Sequence, residues 1–543
     1  MKKTIESLTP PSNKQVMWLD ISSEVKQLKA YINGEWVVVN DDTKNNEEIV
    51  KRVLEKVDST YYNALKTRPK GTFLAAPSNK DGKADFRSIA FEDLPDNIKD
   101  IVIDRESYGV SWKPNVADPV LTRVGNMNYH KTLPIQSEMK GCILNPKTKE
   151  VVYWLDESNW TYKKGGNPNK GETEDLARLD GYDGEVFVYV PEFWIKSWDT
   201  DTRREVRISP TKIDDSWEHQ PAIFVSAYRN TVLNTVPENM GYLSTLEVNS
   251  PISVVNSATY CRGGNNDATY DADGDVFKRD LGKPIMTSLI RSTFRNYARQ
   301  TGKEIMSYKQ YKNIIYWLYV IEYANFNCQD DFNPELTIEG FRQGGLGNGI
   351  TNVSNVTTYR GYYPVCPNGY TNNFGNGTGI KLIESTYLEP VNNVYAIRWR
   401  GLENTFGDMW ECVDGIIIDI NKDNHPNVNY VYTTDDPSKY GDTTDDLANM
   451  TLSGIETTKE GYIKEWDLGS TAEIIPRLVG GNSTQYKCDY HDYSNYSSST
   501  PNVLLFGNNN YKEGNKSGIG RSFSNFSTNY FPAGVSYWTV IVI

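Results

Sequence analysis

The chain has 543 residues, 38% of them hydrophobic and 23% charged, with a formal net charge of −13. That length exceeds one ordinary domain, and that balance suits folded, soluble domains rather than a disordered chain. The acidic balance makes the chain a poor candidate for sequence-independent nucleic-acid binding, which needs a basic face.

With 36 Tyr, 41 Gly and 25 Pro, strand and turn formers outweigh helix formers. The expected class is α+β, β-rich, loop-rich and multidomain. The start, MKKTIESLTPPSNK, has no apolar stretch of the signal-peptide kind. The longest apolar run, Ile314 to Ile321, falls far short of the ~20 residues that span a bilayer. Cys142, Cys261, Cys328, Cys366, Cys412 and Cys488 show no CxxC spacing, so the zinc-site pattern is absent. Free, mostly buried thiols in a chain made in the cytoplasm are the expectation.

In chain order, residues 1–107 form an N-terminal region. It opens on a strand candidate around the Asn33-Gly34 turn signal. A helix follows at 46–66, where Ile49, Val50, Val53, Leu54 and Val57 recur at helical spacing before Arg68-Pro69. Residues 108–249 read as a β-rich connecting domain, with strand candidates Cys142–Leu144, Glu150–Leu155, Glu185–Val190 and Ile223–Tyr228. Residues 250–543 read as the third unit. There Ser288 and Ser307 are placed to cap two helices. The second carries Tyr311, Ile314, Ile315, Leu318 and Ile321 on one side.

Three stretches carry family resemblances. Gly82 to Ala90 with Asp93-Leu94-Pro95 resembles an element near the N-termini of phage tail fibres. VLTRVGNMNYHKTLPI (120–135) and GYDGEVFVYVPEFW (181–194) resemble a domain that precedes the binding domain in tail proteins of phages of gut Bacteroides-type bacteria. Asn404, the run from Phe406 to Glu411, Val413-Asp414-Gly415 and the block Arg477 to Ser483 resemble the C-type lectin-like fold. The variant is that of formylglycine-generating enzymes and of the variable proteins of diversity-generating retroelements. The resemblance implies a lectin-like domain with two helices at 250–543, and one fold hosts unrelated functions.

The enzyme branch of that family works through two cysteines after the second block. Here Cys488 stands near the place and no second Cys follows. His130, His219, His425 and His491 make no HExxH pair, and GxSxG is absent. Which carboxylates could form a glycosidase-type pair is not readable from their order along the chain. The glycine clusters at 345–349 and 375–379 read as tight turns rather than phosphate loops. The runs at 271–275 and 419–423 offer alternating oxygen ligands of the kind that wrap Ca²⁺, but neither has the Gly and Glu of an EF-hand loop. The expectation is no cofactor and no metal site, with Ca²⁺ as the minor alternative.

Trp410, Trp399, Phe406 and Tyr395 read as scaffold core. The C-terminal segment reads as the surface. Tyr511, Arg521, Phe523, Asn525, Phe526, Asn529, Tyr530 and Phe531 mix rigid rings with small polar groups, as binding loops do. They are the expected ligand-binding residues, on one exposed face. In the retroelement proteins that the chain resembles, this last segment is the diversified ligand-binding surface.

These readings converge on a tail-fibre-type receptor-binding protein of a phage virion, made in the bacterial host. It is expected to be a homotrimer that joins other tail proteins through its N-terminal region and holds a host glycan or protein, without catalysis and without membrane insertion. The alternatives are a surface-glycan depolymerase, a degenerate formylglycine-generating-type enzyme, or a collar or head-decoration protein without a receptor.

Overall fold

The computed structural model describes residues 94–202, 204–233, 235–255, 289–351, 366, 368–383, 394–420, 428–493, 501–508, 514–529 and 534–543, together with the backbone of six strands before them. The chain divides into two compact units, Met1–Lys99 and Asp100–Ile543. It is mixed α+β and strand-rich, with several sheets and few helices.

The first unit holds a four-stranded sheet of Thr4–Ser7, Met17–Asp20, Gln27–Ile32 and Glu35–Val38, and a two-stranded pair, Thr72–Ala75 with Asp85–Ser88. The last two sheet strands pair with Ile32 opposite Glu35, where the Asn-Gly signal asks for a hairpin. The helix expected at 46–66 lies outside the described residues.

In the second unit, a six-stranded antiparallel sheet has the spatial order Glu150–Trp154, Lys140–Asn145, Glu185–Val190, Ile223–Ser226, Thr539–Val542 and Glu304–Ile305. Its central strand, EVFVYV, is buried on both faces, as a continuous β-branched and aromatic run requires. The C-terminal strand is the fifth member. It inserts between Ile223–Ser226 and Glu304–Ile305, with Val540 opposite both Val225 and Glu304. The boundary expected at residue 249 therefore does not separate two folded units. Strands from both sides of it share one ladder of hydrogen bonds, and the chain from Asp100 onward is one unit.

A five-stranded antiparallel sheet lies in the order Glu218–Gln220, Phe193–Asp199, Arg204–Ser209, Tyr108–Trp112 and Thr122–Gly125. A seven-stranded mixed sheet lies in the order Ile475–Val479, Gly461–Asp467, Tyr490–Asp492, Gly518–Phe523, Leu505–Gly507, Trp410–Cys412 and Val535–Ser536.

Both expected helices are present. The helix Arg291–Gln300 begins after Ile290, with no side-chain cap, and Ser288 lies outside the described residues. Ser307 caps the second through a reciprocal box with Gln310. This second helix departs from the one-sided pattern. It runs through a π-helical stretch, Tyr311–Trp317, into Leu318–Tyr323, and every residue of those two stretches is buried. The reason is position, since elements from the whole unit pack around it. Gln136 donates to the Leu318 carbonyl at 3.0 Å, and Trp317 Nε1 donates to the Ala472 carbonyl at 2.7 Å. The Tyr311 hydroxyl donates to the Ile519 carbonyl at 2.8 Å, and Trp466 Nε1 donates to the Tyr316 hydroxyl at 2.9 Å. At its far end Glu322 receives Trp399 Nε1 at 3.1 Å and Arg400 Nη2 at 2.6 Å.

Deleting residues 539–543 removes an interior strand, and unpaired backbone groups in a buried sheet cost several kcal/mol in sum. The truncated chain is expected to lose cooperative thermal unfolding, followed by circular dichroism. A truncated chain that melts as the full chain does would contradict this.

Candidate interaction surface

The C-terminal ring cluster is built on the strand Gly518–Phe523. It pairs antiparallel with Leu505–Gly507 and parallel with Tyr490–Asp492. Side chains two residues apart share a face, so Arg521 and Phe523 project together. Phe523 meets Trp410 at 5.4 Å between ring centroids and Phe526 at 4.6 Å. The Arg521 guanidinium lies 5.0 Å from the Trp410 ring and 5.9 Å from the Tyr490 ring, and its Nε donates to Asp492 at 2.9 Å.

From Tyr490 the cluster extends outward. Lys516 Nζ sits 4.2 Å from the Tyr490 ring, and Tyr462 packs edge-on to Tyr490 at 5.1 Å. The Tyr490 hydroxyl donates to Glu460 at 2.6 Å, and the Tyr462 hydroxyl donates to the Asn515 carbonyl at 3.2 Å. Tyr462, Tyr490 and Lys516 are half-buried. Half-buried rings beside cations offer stacking, cation–π and hydrogen-bonding contacts to a partner.

The sequence-expected positions divide. Asn529 is exposed, and Phe523, Asn525 and Phe526 are half-buried. Arg521 is 1% exposed and ion-paired, so it is not part of an open surface. Tyr511, Tyr530 and Phe531 lie outside the described residues. The expected separation of a Trp410 scaffold from a ring-bearing surface is corrected too, because Trp410, Phe523 and Phe526 form one stack over Val503, Leu505 and Val535. Of the other expected core residues, Trp399 and Phe406 are buried while Tyr395 is half-buried. Sequence reading missed Tyr462 and Tyr490. Tyr490 stands beside His491 in the short strand Tyr490–Asp492, where the aromatic before a histidine was the available signal.

The five described cysteines are free thiols. Cys488 is buried in a left-handed backbone conformation (φ 60°), and burial pushes its thiol up. Both glycines flanking Ile519, Gly518 and Gly520, make room for a buried acid, and the second also bonds it. A Cβ at Gly520 would stand 2.3 Å from Asp489 Oδ2, whereas the glycine N–H donates to that oxygen at 3.1 Å. Burial holds the Asp489 carboxyl well above the usual carboxylate range. Among the described residues no group of three or more His, Cys, Asp and Glu side chains is arranged to hold a metal ion. The calcium-type runs fall largely outside those residues.

On the opposite face of the same strand, Ser522 joins a serine–histidine–carboxylate set. His491 Nδ1 is 2.9 Å from Ser522 Oγ, and His491 Nε2 is 3.8 Å from Glu456 Oε1. The order resembles a nucleophile–base–acid chain, but all three residues are at most 1% exposed, so the hydroxyl does not face solvent. Burial lowers the histidine to about 4 and raises the glutamic acid to about 7. Between those two values the set is a core network of neutral partners.

Two outcomes follow from this geometry. Phe523→Ala opens a cavity beside Trp410 and is expected to cost about 1–3 kcal/mol of stability, less than a fully buried ring, read by urea denaturation. An unchanged midpoint would show that the ring is not part of the stack. The Glu456 proton sets the second outcome. Its folded value is raised from 4.5 to about 7, so the stability that it contributes is full below pH about 4.5 and is lost as pH rises through about 7. Glu456→Gln removes that loss. The variant is expected to gain on the natural chain by up to ~1.4 kcal/mol per pH unit across this window. A difference that stays constant with pH would contradict the buried neutral acid.

No family model matches the chain, and no curated protein matches it. Among solved structures, the chain is similar to one named Major Tropism Determinant U1 Variant, with 10% identity over 68% of this chain and 76% of that chain and a TM-score of 0.18. A superposition that loose carries no argument about fold or function.

Proposed function

We propose that this chain is a phage tail-fibre-type protein that attaches a virion to a bacterial surface, and that it acts by binding rather than by turnover. The observation that carries the reading is the ring-and-cation face of Tyr462, Tyr490, Lys516, Phe523 and Phe526. Half-covered aromatics beside a cation concentrate binding energy in few side chains. The sequence resemblances around residues 82–95, 120–135, 181–194 and 404–415 support the same reading. They supply the setting, a tail protein with a lectin-like region, while the face supplies the chemistry. In this reading residues 1–107 join the chain to other tail proteins. Three copies then multiply a weak single-site affinity through avidity.

The test is adsorption of the fluorescently labelled full chain to a panel of gut Bacteroides-type strains. Tyr490→Ala and Lys516→Ala are each expected to weaken adsorption about tenfold, an anchor loss of ~1–3 kcal/mol, with melting temperatures close to that of the natural chain. Adsorption unchanged in both variants would overturn the placement of the site. Release of soluble sugar from the cells by the natural chain would overturn binding without turnover.

A further inference from the structure

A second site lies apart from the ring face, in a pocket of about 260 Å³ among the central helix, the strand Glu218–Gln220 and two strands of another sheet, Asn429–Thr433 and Thr451–Glu456. Its floor is charged. Lys312 Nζ lies 3.4 Å from Glu218 Oε1 and 3.1 Å from Glu473 Oε1, and it also donates to the Thr471 carbonyl. Asn313 Nδ2 donates to Glu218 at 2.9 Å, and the Thr471 hydroxyl donates to Glu473 at 2.8 Å. Lys312 and Glu473 are 1% and 6% exposed. Its rim carries a second ion pair, Lys309 Nζ to Asp435 Oδ2 at 2.8 Å. The wall is a set of hydroxyls: Thr433, Thr434, Thr451 and Ser453. The Thr433 and Ser453 hydroxyls bond each other at 2.5 Å.

A floor of this kind needs a reason. Taking two carboxylates and an ammonium out of water costs several kcal/mol per ion, and well-packed apolar residues do as well or better for stability. Here the ions line an opening rather than a closed core. The environment also drives the two acids apart, with burial raising Glu473 while Lys312 and Lys309 hold Glu218 down against the burial that would raise it. Acids that their surroundings push apart in a cleft are candidates for a functional site.

The lining selects the ligand. Glu218, Asp435 and Glu473 offset the two ammonium groups, so the pocket has no unbalanced positive charge to draw in an anion. Hydroxyl donors and acceptors alternate with fixed charges, which matches a ligand whose own groups are hydroxyls. The volume lies below the usual range of pockets for drug-sized ligands, about 300–1,000 Å³, which fits one sugar ring rather than an oligosaccharide. Among the described residues no metal-type cluster is present to bind such a ligand through an ion. We propose that this pocket binds a single neutral or amino sugar residue, with Glu218, Lys312 and Glu473 as its polar floor and the Thr433, Thr451 and Ser453 hydroxyls as its wall. This goes beyond the receptor-binding reading and does not rest on it.

The experiment is saturation-transfer NMR and calorimetry on the full chain with glucose, mannose, galactose, N-acetylglucosamine and glucosamine as probes and glucuronic acid as the anionic control. At least one neutral or amino sugar is expected to bind saturably, and glucuronic acid is not. Ser453→Ala and Asp435→Asn, both at partly or fully exposed positions that leave the buried ions in place, are expected to weaken that binding about tenfold, the size of a lost hydrogen bond to a polar ligand. Tyr490→Ala is expected to leave it unchanged, which separates this pocket from the ring face. No saturable binding by any of the five sugars, binding unaffected by both pocket variants, loss of binding in Tyr490→Ala, or glucuronic acid bound as tightly as the best sugar would each overturn the proposal.

Discussion

The helix 308–323 is almost without a solvent face, so nearly every polar group it carries has to find a partner inside the protein or leave a buried group unpaired. That requirement ties the second unit together. Lys312 and Asn313 reach the strand Glu218–Gln220 and the segment at 471–473. Tyr311 reaches the strand that also carries Arg521 and Phe523. Glu322 reaches Trp399 and Arg400. Sheets that are far apart in sequence are thereby fixed to one rod, and the candidate surface inherits its rigidity from it.

The same rod explains why the two candidate sites differ in kind. At the ring face, the helix lies behind the strands, with Tyr311 stacked on Phe506 at 4.6 Å and its hydroxyl bonded to the Ile519 carbonyl. The rings in front are supplied by strands and are half open. At the pocket, the helix supplies the Lys312 ammonium of the charged floor, Glu218 and Glu473 come from a strand and a connecting segment, and the flanking strands supply hydroxyls. A partner at the first site meets aromatic area, and a ligand at the second meets fixed ions. Contact area of the first type tolerates varied partners, while fixed ions of the second demand a matched one.

Much of the strand pattern was legible. EVFVYV at 185–190 declares a buried strand by its β-branched and aromatic run, and the structure gives it those bounds. Ser307 declares a helix start, and the structure adds a reciprocal box with Gln310. The depth of side chains was not legible, because depth depends on partners from distant segments. Phe523 and Phe526 read as surface by their polar neighbours, yet Trp410 comes up beneath them from another strand. Arg521 reads as an exposed cation until Asp492 is placed beside it. The unit boundary at 249 failed for the same reason, since nothing local announces that Thr539–Val542 pairs with Ile223–Ser226. One signal was available and unused. Lys312, Asn313 and Glu322 interrupt a run from Tyr311 to Tyr323 that is otherwise aliphatic or aromatic, and ionic groups in such a run are almost never fully buried unless paired. Their positions say that partners are needed; which partners, Glu218, Glu473 and Arg400, only the structure shows.

The central claim is that host attachment takes place on the face around Tyr490. Hydrogen–deuterium exchange of the full chain, alone and with a surface extract of a strain to which it adsorbs, tests this directly. The account predicts slowed exchange in peptides covering 461–467, 488–493 and 514–529, with the central helix unchanged because it is already protected. Slowing confined to peptides outside those three, or none at saturating extract, would contradict it.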